Sequence, residues 1–229
     1  MEANGLRMMS EVLGSPRVPN VIGFSQKVLV LEYIQQGVEG SQYWEVFAQS
    51  LAHVHQHHSE YFGLKRDNYI GRTKQINTQC KDAIVFFRDY RLGFQQELAR
   101  KNGYLSIELD KQITKLRSIL ESILCVANEL PSLVHGDLWS GNHFSDEDGK
   151  PCFFDPAVHF GLRETDIAMT ELFGRLPQRF YDAYQEVLPL QQNYSDRRDL
   201  YDLYHMLNHL NLFGTGYLPN IKRIVSRYT

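Results

Sequence analysis

Residues 133–157, LVHGDLWSGNHFSDEDGKPCFFDPA, constrain what this chain can fold into more than any other stretch. Two apolar-rich arms flank Asp146-Glu147-Asp148-Gly149, a turn composition in which the glycine can take positive φ. A hairpin there returns Asn142, at the start of one arm, to the side of Asp155, at the end of the other. Two oxygen ligands then converge on one point. A carboxylate with an amide suits Mg²⁺, which keeps several waters and commonly shares phosphate oxygens. The run from His135 through Asp137 to Asn142 has the spacing H-x-D-x-x-x-x-N, in which the Asp accepts a hydroxyl proton and the Asn holds metal. The stretch therefore reads as a phosphoryl-transfer site. A bare H-x-D would brace a loop and Asp155-Pro156 would cap a turn; the coincidence of spacing, hairpin and second Asp argues against that plainer reading.

The rest of the chain supplies a mainly helical frame. EANGLRMMSEVL, residues 2 to 13, puts Leu6, Met9 and Leu13 on one helical face, with Gly14 and Pro16 closing the helix. NVIGFSQKVLVLEYI gives two short β runs around Ser25 and Gln26, a hairpin ending near Glu32. Helical periodicity follows over Tyr43 to His57, Gln79 to Lys101 and Ile107 to Glu129, with a polar loop, RDNYIGRTKQIN, between the first two. Further helices are expected at about 164–173, 178–187, 195–213 and 218–227. With 229 residues, 43% of them hydrophobic, the chain can bury one large domain or two unequal lobes.

Charge and cysteines narrow the setting. A net charge of −3 without a Lys/Arg block gives no footprint for nucleic acid or anionic lipid. Cys80, Cys125 and Cys152 form no disulfide spacing, and neither a signal peptide nor a membrane span is evident, which reads as a reducing, cytoplasmic protein. In HVHQHH, His53 and His57 stand four apart, a spacing open to metal, but no third ligand is evident and a helix end commonly carries His.

At HGDLWSGN, FFDPAVHFGLRETDIAMTELFG and LYHMLNHLNLFGTGY the sequence resembles the fructosamine kinases (ketosamine 3-kinases), small-molecule relatives of aminoglycoside, choline and, more distantly, protein kinases. LAHVH and DNYIG are similar to two weaker blocks of that family. Asp-Pro in place of Asp-Phe-Gly separates the chain from protein kinases, and Trp139 with NHLNLFG favours this family over aminoglycoside kinases. The resemblance implies an α+β, protein-kinase-like fold. Residues 1–34 would be a remnant of the N-terminal β lobe (helix, hairpin and hinge), and 35–229 the helical C-lobe with the catalytic loop and hairpin insert. It implies ATP-dependent phosphorylation of the 3-hydroxyl of a ketosamine, the sugar adduct left on an amine by glycation. Because the phosphorylated adduct falls apart in the family, the activity would be deglycation repair.

By residue, the resemblance implies Asp137 as the catalytic base, Asn142 and Asp155 as ligands of Mg²⁺, and Trp139 against the sugar ring. Glu32, Tyr33 and Ile34 would form the adenine-binding hinge through backbone groups. His135 would support the catalytic loop; for Asp166 two readings compete, a brace that holds the loop by accepting backbone N–H bonds, which is favoured, and substrate binding. His205 and His209 read as packing histidines, with substrate contact by His209 as the alternative.

Two departures shape the remaining expectations. Leu162 stands where the family more often has His. Family members also carry, before the first helix, strands with a phosphate-covering loop and a Lys that pairs with a Glu at the place of Glu2. These 229 residues by themselves are therefore expected to bind nucleotide weakly and turn over little, with ketosamine binding retained. Self-association is expected through an apolar edge beside Val28 and Val30. Two alternatives stand beside the main reading. One is a kinase for another small hydroxylated substrate, where an acidic pocket would mark an aminoglycoside and an aromatic cage choline. The other is a catalytically impaired ketosamine-binding module, marked by binding without turnover.

Overall fold

The computed structural model describes residues 2–124, 126 and 129–229 of the chain. Helix α1, Glu2–Ser10, buries Ala3, Leu6 and Met9. It stops earlier than the periodicity predicts. The Val12 N–H bonds the Met9 carbonyl, a three-residue step that tightens the turn, so Val12 is buried and Leu13 is 96% exposed. Strands β1, Val21–Phe24, and β2, Leu29–Leu31, form the expected antiparallel hairpin, with a register shift between Val21 and Gly23. Helix α2, Tyr43–His55, follows.

The polar stretch expected as a loop is instead a second hairpin, β3, Asn68–Ile70, paired with β4, Thr73–Gln75. Its amides look like surface by composition, yet Asn68 and Gln75 are buried. Asn68 Nδ2 donates to the Val158 carbonyl at 2.8 Å and Gln75 Nε2 to the Ala157 carbonyl at 2.9 Å. These bonds satisfy buried backbone acceptors just beyond Asp155-Pro156, the Ala157 carbonyl being shared with His159 Nδ1 at 3.2 Å.

The helix expected from Gln79 begins at Ala83. Asp82 caps it by accepting the Val85 N–H at 2.9 Å. It runs as α3, Ala83–Val85, a π-helical segment, Phe86–Gly93, and α4, Phe94–Lys101. Helix α5, Ile107–Ser118, capped by Ser106, breaks at Ile119 and resumes as α6, Leu120–Leu124. The expected continuation to Glu129 includes Cys125, Ala127 and Asn128, which lie outside the described residues. Val126 and Glu129 are not helical.

Strand β5, Ser132–Val134, leads into the stretch from His135 to Asn142. Strands β6, His143–Ser145, and β7, Pro151–Phe153, are the anticipated insert, paired with Phe144 opposite Cys152. Strand β8, His159–Gly161, returns antiparallel to β5, a pairing that periodicity does not reveal in runs of three residues. Helices α7, Glu164–Leu172, α8, Gln178–Val187, α9, Tyr194–Phe213, and α10, Leu218–Tyr228, complete the body, with a 3₁₀ turn at Thr215–Tyr217.

Two apolar cores form around these elements. One joins α1 and α2 to α8 through Leu6, Met9, Phe47, Leu51, Phe180 and Tyr184. The other wraps α5, α10 and the π-helical segment around α9 through Phe87, Ile113, Leu203, Leu207 and Ile224. Leu133, Leu138 and Ile167 pack in the first core, while Ala157, Leu162 and Ala168 pack in the second. The segment from β5 to α7 thus straddles both, and its conformation is held from two sides. Its last turn is locked further by Glu164, whose carboxylate takes Arg197 Nε and Nη2, each at 2.7 Å, and the Tyr201 hydroxyl at 2.9 Å. No helix among the described residues is long and apolar enough to cross a membrane.

Candidate active site

The chain leaves β5 through His135-Gly136-Asp137. Gly136 has φ 81°, and a Cβ there would run into the Ala157 carbonyl oxygen, so both conformation and close approach demand glycine. Asp166, on α7, accepts the His135 N–H at 2.7 Å and the Gly136 N–H at 2.9 Å. His55, on α2, donates from Nε2 to the same carboxylate at 3.1 Å. The other nitrogen of His55 takes the Tyr184 hydroxyl at 2.6 Å. Burial pushes the Asp166 pKa up, but the His55 hydrogen bond and the Gly136 N–H are among the contacts that hold it below the ordinary value. Burial likewise holds both imidazoles below theirs.

His135 lies fully buried beneath the loop. Its Nε2 donates to the Phe154 carbonyl at 3.1 Å, because a carbonyl can only accept. Its Nδ1 is then left to accept the Asp137 N–H at 3.3 Å. The residue before Asp155 is thereby tied to the residue before Gly136.

Asn142 Nδ2 donates to the Asp137 carbonyl at 2.8 Å and to Asp137 Oδ2 at 3.3 Å. Using the NH₂ in this way leaves Oδ1 as the free acceptor. The Phe154 N–H bonds the Asn142 carbonyl at 3.1 Å, extending the β6–β7 ladder to the foot of Asp155. Asp155 is exposed and held at φ 50°, a left-handed conformation uncommon for a residue with a side chain. Burial and then the Asp155 charge push Asp137 up to about 7, against the opposing Asn142 bond. Burial and the Asp155 charge also raise Glu2.

The repulsion that the Asp155 charge exerts on Asp137 and on Glu2 is what a cation bound at Asp155 would relieve. Among the described residues no group of three His, Cys, Asp or Glu is arranged to hold a metal unaided. The oxygen donors of Asn142 and Asp155 are of the kind a hard cation takes when it completes its shell with water and phosphate oxygens. His53 is exposed beside the Gly14 carbonyl, 3.3 Å away, and His57 packs against Phe160 with ring centroids 6.0 Å apart. Neither belongs to the catalytic stretch.

Arg17 straps the segment at Glu32 to the turn of the β6–β7 hairpin. Glu32 accepts Arg17 Nη2 at 2.9 Å and Asn20 Nδ2 at 2.7 Å, while Arg17 also pairs with Asp146 at 3.2 Å and Glu147 at 2.8 Å. The Glu32 carboxylate is therefore engaged within the protein. Tyr33 is exposed and Ile34 buried, and their backbone N–H groups have no internal partner among the described residues.

A line of rings begins with Trp139, two residues after Asp137, whose indole lies so close over Gly141 that a Cβ there would clash with it. Trp139 meets Phe173 edge-on at 6.2 Å. His209 then touches Phe173 at 5.1 Å, Phe213 at 5.5 Å and Tyr217 at 5.1 Å. His205 is buried deeper in the same helix.

Sequence reasoning missed His55 and the rings around His209. A signal existed for each. Ala48, Leu51, Ala52 and His55 follow one helical face, and Phe213 and Tyr217 follow His209 at steps of four.

A profile of the fructosamine kinase family matches residues 1–229. A protein-ribulosamine 3-kinase, chloroplastic, of Arabidopsis thaliana is 39% identical over 99% of this chain and 71% of its own length. A protein of Enterococcus faecium named a probable ketoamine kinase is 36% identical over 99% of this chain and 81% of its own. A solved structure from Thermobifida fusca whose name carries fructosamine-3-kinase superposes with a TM-score of 0.92 at 34% identity, covering 99% of this chain and 78% of that one. The aminoglycoside phosphotransferase APH(2'')-Ib shares the fold alone, with a TM-score of 0.61 at 15% identity over 96% of this chain and 78% of that one. With the H-G-D loop, the Asn142–Asp155 hairpin and the Asp166 brace all in one matched sequence, the chain belongs to the fructosamine kinase family.

Proposed function

We propose that this protein transfers the γ-phosphoryl group of ATP to the 3-hydroxyl of a ketosamine and so initiates removal of the sugar from glycated amines. The observation that carries the reading is Asp137, bonded by Asn142 Nδ2 at 3.3 Å and pushed up to about 7 by burial and the Asp155 charge. A carboxylate poised near neutrality is suited to take the proton of an attacking hydroxyl. Asn142 Oδ1 and Asp155 would hold Mg²⁺, which when bound neutralises charge on the transferring phosphate. The free backbone groups of Tyr33 and Ile34, next to Glu32, suit adenine, and Trp139 offers a flat face to the sugar. His135 and Asp166 keep the loop in place. Residues 1–34 would then serve the nucleotide side and 35–229 the substrate side, in a cytoplasmic setting supported by the free thiols of Cys80 and Cys152.

Names of relatives support the substrate, since the Arabidopsis protein is a ribulosamine 3-kinase by name. Incubation with ATP–Mg²⁺ and a fructosyl-amine should give a sugar phosphate resonance by ³¹P NMR. The ring cluster favours one second reading, choline. Phosphorylation of choline with none of the ketosamine would overturn the proposal.

Trp139→Ala should raise the KM for the ketosamine about 10-fold while ATP affinity stays within about twofold, because stacking area is lost only on the substrate side. Equal loss of ATP affinity would make Trp139 a packing residue. Ile22, Phe24, Val28 and Val30 are all exposed on the first hairpin, which supports self-association of these residues through that face. Sedimentation velocity should show a concentration-dependent dimer that Phe24→Lys with Val30→Lys abolishes; a monomer at every concentration would refute it.

A further inference from the structure

His209 sits at the centre of the ring cluster. Its Nδ1 lies 2.7 Å from the His205 carbonyl, so that nitrogen carries the proton and Nε2 keeps a lone pair. Phe173, Phe213 and Tyr217 surround it, and Trp139 adjoins through Phe173. Phe213 is 64% and Phe173 40% exposed, so faces of both rings remain open to a ligand. Among the described residues no Lys or Arg lies over any of these rings, whereas Phe24, Tyr61, Phe86, Tyr181, Tyr204 and Tyr228 each have one. Nor does the neighbouring acid serve them: Glu171 is engaged by Tyr194 and Arg198. What remains is a surface of negative ring faces and one imidazole lone pair without a cation of its own, which is the chemistry that binds an organic ammonium rather than a polycation.

We propose that Phe173, His209, Phe213 and Tyr217 receive the protonated amine of the ketosamine, with His209 Nε2 accepting an ammonium N–H. The inference rests on the ketosamine reading above and deepens it by assigning the amine half of the substrate. A ketosamine is a secondary amine, basic enough to be protonated at neutral pH. With the 3-hydroxyl at Asp137 and Trp139 against the sugar, the amine at C1 points outward along the rings. Exposed Phe213 then lies on the path to whatever the amine is attached to. The site thereby recognises the linkage that glycation creates and distinguishes it from a free sugar.

Isothermal titration with two probes tests this. One is 1-deoxy-1-propylamino-fructose, a cation; the other is its N-acetylated counterpart, neutral at the same nitrogen. The cationic probe should bind at least about 10-fold more tightly to the unsubstituted protein. His209→Phe, which keeps a ring and removes the lone pair, and Phe213→Leu should each weaken the cationic probe by about 3- to 30-fold. Both should leave the neutral probe within about twofold. Phe213 is exposed, so its replacement leaves the fold in place and the test intact. Equal affinity of the two probes for the unsubstituted protein, or equal loss of both in the variants, would overturn ammonium recognition while leaving the ketosamine reading standing. Failure of the unsubstituted protein to bind either probe would overturn the ketosamine reading and this inference with it.

Discussion

In a version that carries a complete N-lobe, Asp137→Asn is expected to lower ketosamine phosphorylation by at least ~10²-fold relative to its unsubstituted counterpart, the contribution of a positioned general base. The substitution keeps the shape of the side chain and its contact with Asn142 Nδ2 through Oδ1, so the loop should hold its geometry. What disappears is the proton acceptor. Stability should move the other way. Burial and the neighbouring Asp155 raise the Asp137 pKa in the folded protein to about 7, so the folded state disfavours the charged form. Below the unfolded carboxylate value of about 4 both states are protonated and no penalty exists; it grows as pH rises towards 7 and persists above. In magnesium-free buffer the variant should therefore melt at or above the temperature of the unsubstituted chain at pH 8, and level with it at pH 4. Activity within tenfold of the unsubstituted counterpart would place the base elsewhere.

Asp166→Asn is expected to destabilise the fold by about 3–5 kcal/mol, as removal of one member of a buried charged network does. The carboxylate accepts three donors at once, from His135, Gly136 and His55. An amide can present one oxygen; its NH₂ must then point at a donor, leaving two N–H groups facing each other in a dry site. Because the loop straddles both cores, the disturbance reaches Asp137 as well. Denaturant unfolding should show a lower midpoint with an unchanged slope. At a temperature where the variant is folded, its turnover should fall while ATP affinity holds. A midpoint unchanged from the unsubstituted chain would mean that water or a loop shift satisfies the donors.

What the sequence alone determined is the local chemistry. The hairpin between Asn142 and Asp155 was legible because turn composition and two short apolar arms act over a dozen residues. The long C-terminal helices were legible because a 3.6-residue period repeats many times over their length. Family blocks carried the kinase-like fold, since they specify whole elements in order. Short elements escaped. The strands at Asn68–Ile70 and Ser132–Val134 have three residues each, too few for a period, and the amides of Asn68 and Gln75 are indistinguishable from loop residues until their partners are known. Leu13 left its helical face because backbone bonding, not side-chain pattern, ends a helix.

Tertiary structure decided what those residues do for one another. His55 bonds Asp166 across 111 positions and Tyr184 across 129, and Tyr204 reaches Gln75 across 129. It also selected among equivalent histidines, placing His55 under the loop and leaving His53 and His57 at the surface. The ring cluster on His209 draws Phe173 from the turn that follows α7, and the position of Asp137 near neutrality depends on burial and on Asp155, which fold together. Pattern in a sequence records the period of each element; the pairing of distant polar groups depends on how the elements pack, because only packing removes the water that would otherwise satisfy them.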